Sequence, residues 1–137
     1  MNKYVGIWID HRKAVIVSLI QKKQSIFHVE SNVEGHFRLK GGSRSKDLYG
    51  PQDATSESKR EERYKHYLQD YFKRVIDLIS DASRIIIFGP GEAKHEFVKE
   101  IKKKKALAGK IDGVETKDKM TERQIAAKVR SFYISKA

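Results

Sequence analysis

Residues 84–97 have the sequence RIIIFGPGEAKHEF, in which a short apolar run meets Gly-Pro-Gly and continues into an amphipathic segment. An apolar run without polar alternation is typical of a strand that is covered on both faces, as in a parallel sheet flanked by helices. Gly89 and Gly91 allow a sharp turn, and Pro90 fixes its own φ and cannot extend a ladder. The helix predicted next directs its free N–H groups out of the carboxyl edge of the sheet, where open α/β sheets usually bind ligands.

The composition indicates one globular domain, residues 1–137, because 39% of the 137 residues are hydrophobic. There is no Cys, which excludes disulfides and thiolate metal sites and makes the reducing cytoplasm the expected location. No apolar run approaches the roughly 20 residues that span a bilayer. The first residues run into a strand-like pattern without the layout of a signal peptide.

The formal net charge is +11, which favours polyanionic partners such as RNA, DNA or an anionic membrane surface. The alternative is a lysine-rich soluble protein whose charge serves solubility alone.

Hydrophobic periodicity predicts a β-β-β-α-β-α-β-α order. The strands are expected at residues 3–9, 14–20, 25–30, 84–88 and 111–115. The helices are expected at residues 57–80, 92–105 and 122–134, the first with a Ser58/Glu61 capping box and the last with a Thr121/Gln124 box. A meander followed by two right-handed crossovers predicts a ribonuclease H-like fold, an α/β mixed five-stranded sheet of order 3-2-1-4-5 flanked by helices.

A long loop is predicted at residues 31–58, rich in Gly and charge and basic at 40–46, and loops of this length are usually functional or disordered. Within residues 40–46, the paired Gly41 and Gly42 let a backbone pass close to a ligand, and the flanking cations suit phosphate. A flexible tip is the plainer interpretation. The segment is not a P-loop, because the required Lys-Ser/Thr spacing is absent.

The predicted strand order brings Asp10, at the end of the first strand, beside Gly89-Pro90-Gly91 at the end of the fourth. Nucleases of this fold hold divalent metal with a carboxylate there, and a two-metal site needs several carboxylates. Glu61 or Glu62 could approach from the helix, but the fourth strand supplies glycine where an acid is needed. Asp10 alternatively caps the backbone of its own turn.

The remaining candidate residues have patterns that are more typical of structural roles than of a functional site. Tyr64, Tyr67 and Tyr71 could stack bases, yet their helical spacing is typical of core. The lysine run at 102–105 is usual for a solvated face, although it would add to a polyanion footprint. The five histidines show no zinc spacing and no serine lies in a nucleophile elbow, so the sequence predicts no catalytic residue, metal or cofactor.

Four features resemble one known family. They are IDHRKA at residues 9–14, Gly41-Gly42-Ser43 after the third strand, the basic aromatic helix that follows, and Gly89-Pro90-Gly91 with Lys94 and Phe97. Together they resemble the middle domain of the archaeal and eukaryotic class-I peptide-chain release factors and their Pelota relatives, including compact bacterial homologues. Release factors carry Gly-Gly-Gln where this chain has Gly41-Gly42-Ser43, and that Gln positions the water that attacks the peptidyl-tRNA ester.

The resemblance implies a translation-associated module that binds the ribosome or tRNA without hydrolysing peptidyl-tRNA, because the Ser43 hydroxyl is shorter than a Gln amide. Pelota-type relatives likewise act without hydrolysis. RNA phosphate is expected to contact Lys40, Gly41, Gly42, Ser43, Arg44, Lys46, Arg60 and Arg63. The turns at the sheet edge are expected to use Asp10, Arg12, Gly89, Gly91 and Lys94. The alternatives are a metal-dependent nuclease on the same scaffold, or a non-enzymatic module that binds a protein or associates with the cell surface.

Overall fold

The computed structural model describes residues 2–31 and 53–134, with the backbone alone for residues 53–57. Its strands are β1 (Lys3–Ile9), β2 (Lys13–Ile20), β3 (Lys23–Glu30), β4 (Arg84–Gly89) and β5 (Ile111–Thr116). Its helices are α1 (Asp53–Leu78), α2 (Ala93–Lys102), α3 (Lys105–Ala108) and α4 (Glu122–Ile134). Within these described segments, no helix is both long and apolar enough to cross a membrane.

The five strands form one mixed sheet in the order β3-β2-β1-β4-β5. The meander β1-β2-β3 is antiparallel, whereas β4 pairs in parallel with both β1 and β5. This is the strand order expected from the sequence, and the ribonuclease H-like prediction is confirmed.

The apolar run of β4 follows from its position between two layers of helices. Ile85 and Ile87 face a core built with α1, α2 and α3, while Ile86 and Phe88 face a second core built with α4. All four side chains are fully buried. Because both faces of the strand are buried, its apolar residues need not alternate with polar ones, and its sequence is continuously hydrophobic.

Two helix predictions were wrong at their ends. α1 begins at Asp53, so Ser58 and Glu61 lie inside the helix and do not form the predicted capping box. The helix expected at 92–105 ends at Lys102, because Lys104 adopts an extended backbone with ψ of 104°. The break starts the short helix α3 where a turn was expected, and it carries Leu107 into the core.

The last helix begins as predicted. The N–H of Gln124 donates to Thr121 Oγ1 at 3.1 Å, and the N–H of Thr121 donates to Gln124 Oε1 at 2.9 Å, which is a reciprocal capping box. Near its other end, Tyr133 is buried and Phe132 is partly buried against the same core. Tyr133 stacks on Tyr4 and its hydroxyl donates to Asp112 at 3.1 Å, which fixes the end of α4 on the sheet.

The contact between β1 and α4 can be tested at Gly6. A Cβ at this position would overlap the buried, stiff side chain of Val129. Gly6→Ala should therefore lower the free energy of unfolding by about 1–3 kcal/mol, measured by urea denaturation. Gly113→Ala is the matched control, since a Cβ there meets nothing within 4 Å, and its effect should stay within about 0.5 kcal/mol. Equal effects of the two substitutions would contradict the tight packing of α4 on Gly6.

Candidate nucleic-acid interface

The turn between β1 and β2 is held by Asp10. One carboxylate oxygen of Asp10 accepts the backbone N–H groups of Arg12 and Lys13, both at 2.8 Å, and the N–H of Asp10 donates to the Lys13 carbonyl at 3.0 Å. The carboxylate is thus used to cap its own turn. Two exposed cations, Arg12 and Lys13, are presented by the same turn.

Three neighbouring elements fasten this turn. The buried Tyr71 of α1 donates its hydroxyl proton to the Asp10 carbonyl at 3.0 Å. His11 Nε2 lies 2.7 Å from Glu96 Oε1 of α2. The hydroxyl of Ser31 donates to the His11 carbonyl at 2.7 Å, and its N–H donates to the Arg12 carbonyl at 2.8 Å. Ser31, itself buried, therefore fixes the start of segment 31–58 at the carboxyl edge of the sheet.

The end of β4 lies directly against the end of β1, as the strand order required. Gly89 has φ of +156°, and a Cβ there would overlap the carbonyl oxygen of Ile9, so glycine is needed for this close approach. On the other side, the N–H of Lys117 donates to the Gly89 carbonyl at 3.0 Å, which joins the end of β5 to the same edge.

Lys94, placed by sequence in the sheet-edge turn, is 2% exposed and its ammonium donates to the carbonyl of Gly91. Gly91 has φ of +62°, a left-handed conformation that favours glycine. Lys94 thus braces the Gly-Pro-Gly turn from inside the protein, and its charge is not presented to solvent.

A groove of about 440 Å³ opens at this edge between the β1–β2 turn and the segment after β5. Its floor includes Trp8, which is 2% exposed and donates Nε1–H to the Asp118 carbonyl at 3.2 Å. Its rim carries three exposed cations, Arg12, Lys13 and Lys119, and the Lys13 ammonium lies 5.9 Å from the centre of the Trp8 ring. The carboxylates that line the groove are those of Asp10, Glu30 and Asp118.

The first turns of α1 lead away from the sheet at this same edge. α1 contacts the start of β1 through the Leu78 carbonyl, 3.5 Å from Lys3 Nζ, and the end of β1 through Tyr71. The residues 53–63 that precede Tyr64 add about 16 Å of helix at 1.5 Å per residue. Arg60 and Arg63, both half-buried, lie on this part of α1.

The structure assigns core roles to the tyrosines of α1. Tyr71 is fully buried, and Tyr64 and Tyr67 are partly buried and pack against the larger core. Tyr71 has no face open to stack a base, which leaves it the core role that its helical spacing indicated.

The remaining sequence-based predictions concern the loop residues and a metal site. Lys40, Gly41, Gly42, Ser43, Arg44 and Lys46 lie outside the described residues. In the part of the chain that the structure describes, no group of three or more His, Asp or Glu side chains could hold a metal ion. Asp10, the carboxylate expected to start such a site, caps its own turn.

Three contributors to this edge were not predicted from the sequence: Ser31, the His11–Glu96 pair and Lys119. Each depends on residues that are distant in the chain, so no local pattern marks them. The only hint was the position of Ser31 at the end of the third predicted strand.

Tyr71 gives a test of how this edge is fastened. Burial raises the pKa of the Tyr71 hydroxyl above its usual value, and the nearby charge of Asp10 adds to the rise. At pH 7, Tyr71→Phe should lower the free energy of unfolding by about 1 kcal/mol, because the Asp10 carbonyl loses its donor.

The same substitution should matter less at high pH. Above about pH 10 the unfolded chain ionises this tyrosine while the folded protein keeps it protonated, so the wild type binds more protons when folded and loses stability as pH rises. Phe does not titrate, and the gap between variant and wild type should therefore narrow between pH 7 and 11 in urea denaturation. Parallel pH profiles would contradict a buried, protonated Tyr71.

No protein-family model matches the chain, and no curated protein sequence matches it. Among solved structures, the Pelota protein of Thermoplasma acidophilum aligns over 99% of this chain with a TM-score of 0.56 and 17% identity. The Pelota protein of Archaeoglobus fulgidus aligns over 98% with a TM-score of 0.51 and 20% identity, and the archaeal translation termination factor aRF1 over 98% with 0.52 and 16%.

The chain spans 34%, 32% and 40% of the length of these three proteins, respectively. Identities at this level establish the fold alone. The likeness nevertheless falls on the two groups that the motifs of the sequence resemble, and the chain has the fold that occurs within Pelota and within an archaeal release factor.

Proposed function

We propose that this chain is an RNA-binding module of the translation apparatus that docks on the ribosome or on tRNA through the carboxyl edge of its sheet. The observation that carries the proposal is the position of Ser31. It starts segment 31–58, which contains the basic stretch 40–46, beside a groove whose rim carries Arg12, Lys13 and Lys119.

Charge supports RNA as the partner. RNA carries a condensed atmosphere of counterions, and a protein with a net charge of +11 displaces them where its Lys and Arg side chains contact phosphate. Release of these counterions drives binding without regard to base sequence. At the groove, the Asp10 carboxylate already accepts two N–H groups and one Asp118 oxygen accepts the N–H of Lys119 at 2.9 Å. These hydrogen bonds partly offset the negative charge beside the cations.

The fold supports translation as the setting. Two Pelota proteins and an archaeal translation termination factor share it over nearly the whole of this chain. In this proposal, segment 31–58 is the counterpart of the region that carries Gly-Gly-Gln in release factors. Lys40, Arg44 and Lys46 contact phosphate, and Gly41 and Gly42 permit close approach of the backbone.

The module binds without catalysing release. Ser43 stands where the release-factor Gln would position water, and its hydroxyl does not reach as far as an amide. Ribosomes that carry peptidyl-tRNA should therefore take up the protein without losing the peptide. Release of the peptide by this protein alone would overturn this part of the proposal.

The loop is tested by Arg44→Gln with Lys46→Gln. If both side chains contact phosphate, tRNA binding weakens about equally for all sequences, and the slope of log K against log salt falls by about 2. Filter binding between about 50 and 200 mM salt measures both quantities. The charge-matched control is Lys22→Gln with Lys23→Gln, two exposed residues of the β2–β3 hairpin at the opposite edge of the sheet. Absence of tRNA and ribosome binding by the wild type at low salt would refute the proposed function.

The groove is tested separately by Lys13→Gln with Lys119→Gln. Both side chains are exposed on its rim, so the fold should remain intact while the salt slope again falls by about 2. Co-sedimentation with ribosomes should be lost at a lower salt concentration than for the wild type and the hairpin control. An unchanged slope would remove the groove from the interface.

A further inference from the structure

The strongest concentration of positive charge in the described residues lies away from the carboxyl edge. Residues 99–105 contain five exposed lysines and a single acid, Glu100. We call the five the lysine corner: Lys99, Lys102, Lys103, Lys104 and Lys105. Because α2 ends at Lys102 and α3 begins at Lys105, the corner wraps around the junction of two helices.

Helix stability accounts for only part of this charge. Cations in the last turn of α2, Lys99 and Lys102, interact favourably with the helix dipole, and that effect fades beyond the last turn. Lys104 and Lys105 lie past it. The single acid within residues 99–105 is already engaged, since Glu100 lies 3.0 Å from Lys103 Nζ. The corner therefore keeps a formal surplus of four positive charges, from five lysines and one glutamate.

The corner borders a groove of about 530 Å³ between α1 and α2. Both walls supply cations, Lys73 from α1 and Lys103 with Lys104 from the end of α2. His66 and Gln69 add neutral polar groups along the α1 wall, while Asp70 and Glu100 are the acids of the groove. Ile76, 3% exposed, is the apolar residue of the lining, and the site is otherwise a polar trough with positive charge on two sides.

The composition of the trough favours an RNA backbone over a membrane. Binding to a lipid surface needs apolar side chains that insert beside the cations. Among the described residues, the exposed large apolar side chains are Phe27, Leu78 and Ile134, and none of them lines this groove. Lysines suit phosphate as point charges, and the amide of Gln69 and the imidazole of His66 suit ribose hydroxyls.

We infer that the α1–α2 groove and the lysine corner form a second RNA-backbone contact, separate from the interface at the carboxyl edge. α2 begins just after the Gly-Pro-Gly turn of the carboxyl edge, and its ten residues, about 15 Å of helix, lead to the corner. RNA that contacts both surfaces therefore passes over the layer that α1 and α2 form on one face of the sheet. This inference rests on the proposed function in one respect, which is that RNA is the partner at both surfaces.

The test is the double variant Lys103→Gln with Lys104→Gln, compared with Lys22→Gln with Lys23→Gln. Each lowers the net charge by two, from +11 to +9, so a difference between them reports position and not total charge. For tRNA in filter binding, the corner variant should lose affinity and its salt slope should fall by about 2, while the hairpin variant keeps the wild-type slope. Thermal unfolding of both variants checks that the fold is intact.

The outcomes separate the two proposals. If Lys13→Gln with Lys119→Gln weakens tRNA binding and the corner variant does not, the second contact is refuted and the proposed function stands. If the wild type binds no tRNA, both are refuted. A corner variant that keeps tRNA binding but loses binding to vesicles of anionic phospholipid would also overturn the inference, because it would identify a membrane surface.

Discussion

Parallel pairing of β1 with β4 is the constraint on which the rest of this structure depends. The two strands lie at the centre of the sheet with helices on both faces, and their carboxyl ends meet where Gly89 passes against the carbonyl of Ile9. A side chain at position 89 would push these ends apart. Because the β1–β2 turn follows one strand and the Gly-Pro-Gly turn follows the other, this single contact sets the distance between the two turns.

The fold was predictable where local sequence and global structure agree. The apolar run of β4 is visible in the sequence because both faces of that strand are buried, and the capping box of α4 because its two residues are three apart. The predictions failed where tertiary contacts decide. α2 ends before the lysine run does, since the burial of Leu107 requires a bend that four consecutive lysines do not encode. α1 likewise begins at Asp53, five residues before Ser58, where the capping box was predicted.

The position of the turns at the sheet edge was predictable from the sequence, but the contacts that hold them were not. Strand order alone brought Asp10 beside Gly89, and short-range turn chemistry already offered the capping role that the carboxylate has. The fastening of the turn by Ser31, Tyr71 and Glu96 could not be read from the sequence, because each contact joins residues between 20 and 85 positions apart. Long-range polar contacts of this kind have no periodicity, and only the assembled structure reveals them.

Lys94 has a practical consequence for following the motions of this protein. Amine-reactive reagents modify lysines according to solvent access, and the exposed lysines of the hairpin and the corner present their amines directly. Lys94, sealed beneath the Gly-Pro-Gly turn, becomes reactive only when that turn lifts. The labelling rate of Lys94, compared with that of the exposed lysines, would therefore report how often the sheet edge opens.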